Sequence, residues 1–311
     1  MANLNALHAG GWEEIELPDI VEQYPTMLTY EERRLLFWLA RDVWEGWGAI
    51  VDAGAFVGGS TASLATGVRA RTTPTTDGGP QPPMWTYDLF VAEGYELGYF
   101  ERWPQIRAGD SFRPAFDELL GDLARETRVH EGDISAQRWS GGPIEILFLD
   151  VLKTTGINDA VLPQFMPSLV GGRSVLIQQD YVHGFLPWIH VTMELLADSV
   201  EHVADVAASR VYAVTRDIPA ERLAAILPLD QRVPAEQQQA LVEQAVAASA
   251  GDTRGMLLVV LANLLCDTQD RLTTAASLLT HVERHFSDVP SVMADMHATR
   301  AKLIDRGWAP T

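Results

Sequence analysis

Five aspartates, Asp52, Asp88, Asp133, Asp150 and Asp180, each stand where a short apolar run gives out. Carboxylates in such places accept hydrogen bonds from hydroxyls and amines, or hold a cation. Beside the first of them the chain reads AIVDAGAFVGGSTASL from Ala49 to Leu64, with Gly54, Gly58 and Gly59 close together and Ser60 and Thr61 just after. Glycines let the backbone come close to a ligand, and the unpaired N–H groups that open a helix point at it. A nucleoside-like small molecule suits that grouping. On this chemistry Asp88 is placed to accept two ribose hydroxyls, and Asp133 an exocyclic adenine amine. His183, three residues past Asp180, is the candidate base, because an unperturbed imidazole titrates near ~6.5. Tyr181, next to Asp180, offers an aromatic face of the kind that stabilises a cation by ~0.5–2 kcal/mol.

Such residues need a scaffold that gathers strand ends. Apolar runs at Ile50–Val51, Trp85–Leu89, Arg128–His130, Ile144–Leu149 and Ser174–Gln178 read as strands, each leading into one of the acids. Between them, helices are expected over Thr29–Trp47, Phe112–Glu126 with a break at Gly121, Ala160–Leu169 and Pro187–Val203. The first is opened by Thr29 and Glu32, spaced as a capping box. A hairpin around Ser209 should close the array. Strands alternating with helices imply an α/β fold with a mostly parallel sheet, whose ligands sit outside the carboxyl ends of the strands. Residues 1–28, interrupted by Pro18 and Pro25, read as a loose lead-in, and 69–84 as a surface loop. From Pro219 the pattern turns to helix after helix. The expected division is 1–28 lead-in, 29–216 ligand-binding domain and 217–311 helical extension. That extension either packs on the core or forms a homodimer interface.

Composition narrows the class. Hydrophobic content of 47% and charged content of 21% are those of an ordinary globular protein. A net charge of −19 argues against nucleic acid or an anionic membrane as partner. The single cysteine, Cys266, excludes an intramolecular disulfide and reads as a small core residue. The first residues have no basic start and apolar core of a signal peptide, and Met256–Cys266 is too short to span a bilayer. The expected setting is cytoplasmic.

VDAGAFVGGST, the acid-ended YDLF, EGD at 131–133, LFLD at 147–150 and SVLIQQDY at 174–181 resemble the ordered motifs of class I S-adenosylmethionine-dependent methyltransferases. The GGS turn and the end of the fifth strand look most like the macrocin O-methyltransferase-like branch, which acts on sugars of natural products. The resemblance covers about residues 30–215. It implies a Rossmann-like sheet, mostly parallel with an antiparallel last strand, followed here by the C-terminal helical extension. It also implies S-adenosyl-L-methionine as cofactor. Carried over, Asp52, Gly54, Ala55, Phe56, Gly58, Ser60 and Thr61 surround its methionine part. Asp88 and Leu89 lie at the ribose, Asp133 and Ile134 flank the adenine, and Asp150 faces the methyl-transfer site. In that branch an acid on the fourth strand and an acid pair on the fifth hold a divalent metal. This chain has Gln179-Asp180 where the pair would be, so a magnesium site would rest on Asp150, Gln179 and Asp180.

The implied activity is methyl transfer to a hydroxyl of a small molecule, with Asp150, Asp180, His183 and Tyr181 as catalytic candidates. Lys153 is expected to pair with Asp150 or with a substrate carboxylate. Two other uses of such a site stay open. One is intramolecular cyclisation or lyase chemistry on the cofactor, releasing methylthioadenosine. The other is a nicotinamide-dependent oxidoreductase, against which stands a glycine spacing of GxxxGG where GxGxxG would be needed. A scaffold that binds no nucleoside is the non-enzymatic alternative.

Overall fold

A computed structural model describes residues 2–72, 81–269 and 271–309. Part of the expected surface loop, 73–80, lies outside the described residues. The chain forms two compact units. The first comprises Met1–Val151, Ala160–Gln179 and Ser199–Pro219; the second comprises Leu152–Asp159, Asp180–Asp198 and Ala220–Thr311.

The first unit is built on a seven-stranded sheet. Its strands are β1 (Ala49–Ala53), β2 (Met84–Asp88), β3 (Thr127–Glu131), β4 (Ile144–Leu149), β5 (Val175–Gln178), β6 (Val200–Val206) and β7 (Ser209–Val214), in the spatial order β3-β2-β1-β4-β5-β7-β6. β1 to β5 pair in parallel, and β7 runs antiparallel to both β5 and β6. This is the Rossmann-like, mostly parallel sheet with an antiparallel last strand that the motifs implied. β1 and β4 are buried along their whole length, as central parallel strands covered on both faces must be.

Glu145 is the exception within apolar β4. Its buried carboxylate accepts the backbone N–H of Glu45, and of Gly46, Trp47 and Gly48 at 3.1 Å each, which fixes the chain's entry into β1. Burial pushes this carboxyl up to about 7, against the pull of those N–H groups.

Three expectations about elements need correction. The lead-in is structured, with α1 (Ala2–Ala9) and a turn of helix, α2 (Asp19–Glu22). Leu7, Val21 and Tyr24 are buried, and this apolar anchoring orders a stretch that the prolines alone made look loose. The helix after the Thr29 capping box, α3 (Tyr30–Trp38), widens into a π-helical turn over Leu39–Val43 and ends there, short of Trp47. The remaining helices of this unit's covering layers are α4 (Gly59–Arg69), α5 (Arg113–Leu120) and the second half of α6 (Thr155–Phe165).

The third correction is α7 (Pro187–Leu195), which stops well before Val203. Residues 200–206 are taken into β6 because Val200 finds Val214 as its strand partner and Asp205 finds Arg210. The ion pair between those last two, 2.6 Å, closes the hairpin. Pairing across the sheet here overrides a helical reading of Val200–Val203.

α7 belongs to the second unit, with α8 (Ala220–Ile226), α9 (Leu229–Arg232), α10 (Ala235–Ala248), α11 (Gly251–Gln269), α12 (Leu272–His285) and α13 (Pro290–Asp305). α11 is the hub, packed against α7, α10, α12 and α13. Its Met256–Cys266 stretch is buried throughout, Cys266 included. No helix among the described residues is long and apolar enough to cross a membrane.

Candidate active site

The sheet's carboxyl edge is stitched from strand to strand by the residues that end the strands. Gly132 N–H donates to Asp88 O, Gly54 N–H to Tyr87 O, Asp150 N–H to Ala53 O and Gln179 N–H to Leu149 O, all at 2.8–3.0 Å. Four of the five expected acids, Asp52, Asp88, Asp133 and Asp150, are thereby placed along one edge, with Gln179 at its end.

Asp52 sits inside that edge with no exposed surface. Its Oδ2 accepts from Ser60 Oγ at 3.1 Å and Thr61 Oγ at 2.5 Å. Both hydroxyls therefore turn inward to the acid. Oδ1 is buried and has no partner. Burial pushes Asp52 up to about 6, opposed by the two hydroxyls and reinforced by the Asp88 charge.

Asp88, half-buried, accepts the N–H of Phe56 at 2.8 Å on Oδ2 and of Phe90 at 2.7 Å on Oδ1. Burial raises it to about 6 against those donors and the N–H of Ala55. A carboxylate offers about four lone-pair sites, so Asp88 still has acceptor capacity beyond its backbone donors. Leu89, which follows, is exposed, while Ala55 is buried. Asp133 is exposed and caps a short helical turn by accepting the N–H of Ser135 at 2.8 Å; Ile134 in that turn is buried.

The turn's glycines answer first to the chain's own packing. Gly54 has φ +96°, and a Cβ there would collide with the Asp150 backbone. Gly58 has φ +104°, and a Cβ would meet Tyr24 Oη at 2.7 Å and Phe116. Gly59 faces Thr26 in the same way. Tyr24 Oη donates to Val57 O at 3.1 Å, so the lead-in is fastened to the turn it covers. Phe56, at φ 50°, turns its ring onto Tyr99, Phe100 and Phe112, with centroids 5.2–5.8 Å apart. Phe56 was expected at the site; Tyr24, Thr26, Tyr99, Phe100 and Phe112 were not visible as its neighbours in the sequence. Only the density of aromatics after Asp88 hinted at Tyr99 and Phe100.

The residues expected around the chemistry fall in the second unit, Asp150 and Gln179 excepted. Asp180, at φ 63°, is buried and forms an ion pair with Lys153. Lys153 thus has Asp180, beside the expected Asp150, as an ion-pair partner. Tyr181 is fully buried, its ring 4.4 Å from that of His190, whose Nε2–H donates to Tyr181 O at 2.8 Å. The ring therefore serves the interior. His183 is 41% exposed, and its Nδ1 lies 3.8 Å from Asp295 Oδ2.

Among the described residues no group of three or more His, Cys, Asp or Glu stands in metal-binding geometry. With Asp180 neutralised by an ammonium and Gln179 in place of an acid, the residues do not fit the magnesium site that the resemblance suggested. A single nucleoside fits better: Gly54 and Gly58 hold a tight turn, Asp52 Oδ1 has no partner, and Asp88 keeps acceptor capacity.

No family model matches the chain, and no curated protein does. Among solved structures, the O-methyltransferase NovP matches over 62% of this chain and 83% of its own, with a TM-score of 0.47 at 16% identity. CalS11, a TDP-rhamnose 3'-O-methyltransferase of calicheamicin biosynthesis, matches over 65% and 89%, with a TM-score of 0.41 at 16% identity. The 23S rRNA methyltransferase ErmE covers 76% of this chain and 98% of its own, with a TM-score of 0.34 at 12% identity. Likenesses this distant leave the functional reading to the residues themselves.

Proposed function

We propose that the chain is an S-adenosylmethionine-dependent methyltransferase that acts on a hydroxyl of a small molecule, a sugar or specialised metabolite. The observation that carries it is the stitched carboxyl edge, with Asp88 bracing the Gly54–Gly58 turn through Phe56 N–H. The GxxxGG spacing and the reversed β7 between β5 and β6 both depart from the dinucleotide pattern. A net charge of −19 favours a small acceptor over a polyanion. A cytoplasmic setting and a homodimer formed through the helical extension go with the same reading.

Bound at this edge, the cofactor would supply a methyl group made electrophilic by its sulfonium. Asp88 takes the ribose hydroxyls on its remaining lone pairs, and Asp133 and Ile134 border the adenine. Gly54–Gly58 and Asp52 serve the amino-acid end, and Asp150 faces the methyl end. In-line transfer asks the protein for alignment and for a proton acceptor, and the latter role falls to His183.

Calorimetry with S-adenosylhomocysteine and NADH, followed by product analysis, tests the proposal. Binding of S-adenosylhomocysteine, formed in turnover only when a hydroxyl acceptor is added, is the expected result. Methylthioadenosine released without acceptor would move the assignment to cyclisation or lyase chemistry. NADH binding alone would move it to an oxidoreductase.

A further inference from the structure

The C-terminal helices grip the loop between β5 and α7 at Gly184. Gly184 N–H donates to Asp295 Oδ2 of α13 at 2.8 Å, and Gly184 O accepts from Asn263 Nδ2 of α11 at 2.7 Å. A Cβ on Gly184 would come within 2.9 Å of Asp295 and Val259, so only glycine fits between the two helices. Asn263 is fully buried, and its amide also donates to Thr299 Oγ at 2.7 Å while its Oδ1 accepts from Lys302 Nζ at 3.2 Å.

The same Asp295 oxygen faces His183. It lies 3.8 Å from Nδ1, a nitrogen that is buried without a hydrogen-bond partner, so the exposed part of the ring is its other side. Phe185 packs against the ring with centroids 5.4 Å apart. Other charges nearby are engaged elsewhere: Asp180 by Lys153, and Lys302 by Asn263 and Asp267. Met256–Cys266 of α11 carries none. An imidazole beside one carboxylate turns its N–H toward it and keeps the far nitrogen as an acceptor. Such contacts are often long before substrate is bound and tighten in the complex.

We propose that Asp295 is a positioning residue for His183, holding the ring as the Nδ1–H tautomer so that the Nε2 lone pair is free. The helical extension thereby completes the proton-accepting group. The catalytic meaning rests on the function proposed above. On that reading the acceptor's O–H would break with its proton going to His183 Nε2, while the O–CH3 bond formed and the C–S bond pair returned to sulfur. Asp295 then faces the imidazolium that results.

Long-range proton–nitrogen NMR on the 15N-labelled full chain, at about pH 8 where an ordinary imidazole is neutral, reads the tautomer directly. His183 is assigned by its loss in His183→Gln. The expected wild-type signature is protonated Nδ1 and bare Nε2. Asp295→Asn keeps an oxygen for Gly184 N–H but removes the charge, and should lower the share of the Nδ1–H form toward the tautomer mixture of an unpaired imidazole. A wild-type ring protonated at Nε2, or an Asp295→Asn ring unchanged from wild type, overturns the proposal. If Asp295→Asn does not fold, the wild-type spectrum alone decides. Calorimetry with S-adenosylhomocysteine is run alongside. Its failure to bind sinks the methyltransferase reading and leaves the tautomer result standing; binding with the wrong tautomer sinks only the role of Asp295.

Discussion

The carboxylate of Asp88 takes the backbone N–H of Phe56, 32 residues earlier in the chain, at 2.8 Å. The last residue of β2 thus shapes the turn that leaves β1, and Phe90 N–H on the other oxygen fixes the carboxylate's own direction. An acid held by backbone donors from both strand ends is pre-organised before any ligand arrives.

Asp88→Ala removes that acceptor and the brace together. We expect S-adenosylhomocysteine affinity to fall by ~1.5–3 kcal/mol, about 10- to 150-fold, by calorimetry. Unchanged affinity would remove Asp88 from the site.

Gly54→Ala forces a side chain into a left-handed position against the Asp150 backbone. A loss of about 2 kcal/mol or more in urea unfolding is expected. Gly98 has nothing within 4 Å and serves as control, with Gly98→Ala within roughly 0.5 kcal/mol of wild type.

Tyr24→Phe deletes one hydrogen bond and leaves Val57 O buried without it. Stability should drop by about 1 kcal/mol, with S-adenosylhomocysteine affinity falling as well, because the lead-in walls the glycine turn. A stability loss with affinity intact would confine Tyr24 to a packing role.

Burial raises Asp52 and Asp88 to about 6 and Glu145 to about 7, against ordinary carboxyl values near ~4. Between those limits the folded chain binds more protons than the unfolded one. The stabilisation is full below the ordinary range and is lost as pH rises through about 6–7. Asp205 acts oppositely: despite burial, Arg210 and His202 hold it low, so its contribution fades only in stronger acid. The urea midpoint should therefore be higher near pH ~5 than near pH ~7.5. A midpoint that rises with pH over that interval would contradict these assignments. In Glu145→Gln the dependence should flatten.

What could be read from residue order was what local physics decides. Thr29 and Glu32 announce a capping box, and both of its hydrogen bonds form. IEILFL is too apolar for anything but a central strand. The GxxxGG turn and the strand-end acids signalled an edge, and the edge exists. Distant partners were invisible. Nothing near Glu145 says that it will receive four N–H groups from 45–48, nor that Lys153 will pair with Asp180. Tyr24 and Thr26 matter because folding brings them onto Gly58 and Gly59. The helix expected through Val203 failed for the same reason, since Val200's strand partner is Val214.

The clamp on Gly184 sets an order of assembly. Its two holders lie 79 and 111 residues further along the chain. On a ribosome, every strand of the sheet has emerged before either holder is made, and contacts of such long sequence separation form late. A nascent or C-terminally truncated chain would carry the glycine turn and the strand-end acids, yet its His183 loop would still lack a fixed shape. On the function proposed above, ligand-holding capacity would then precede reactivity in the life of each molecule, with α13 the last element to set the His183 loop.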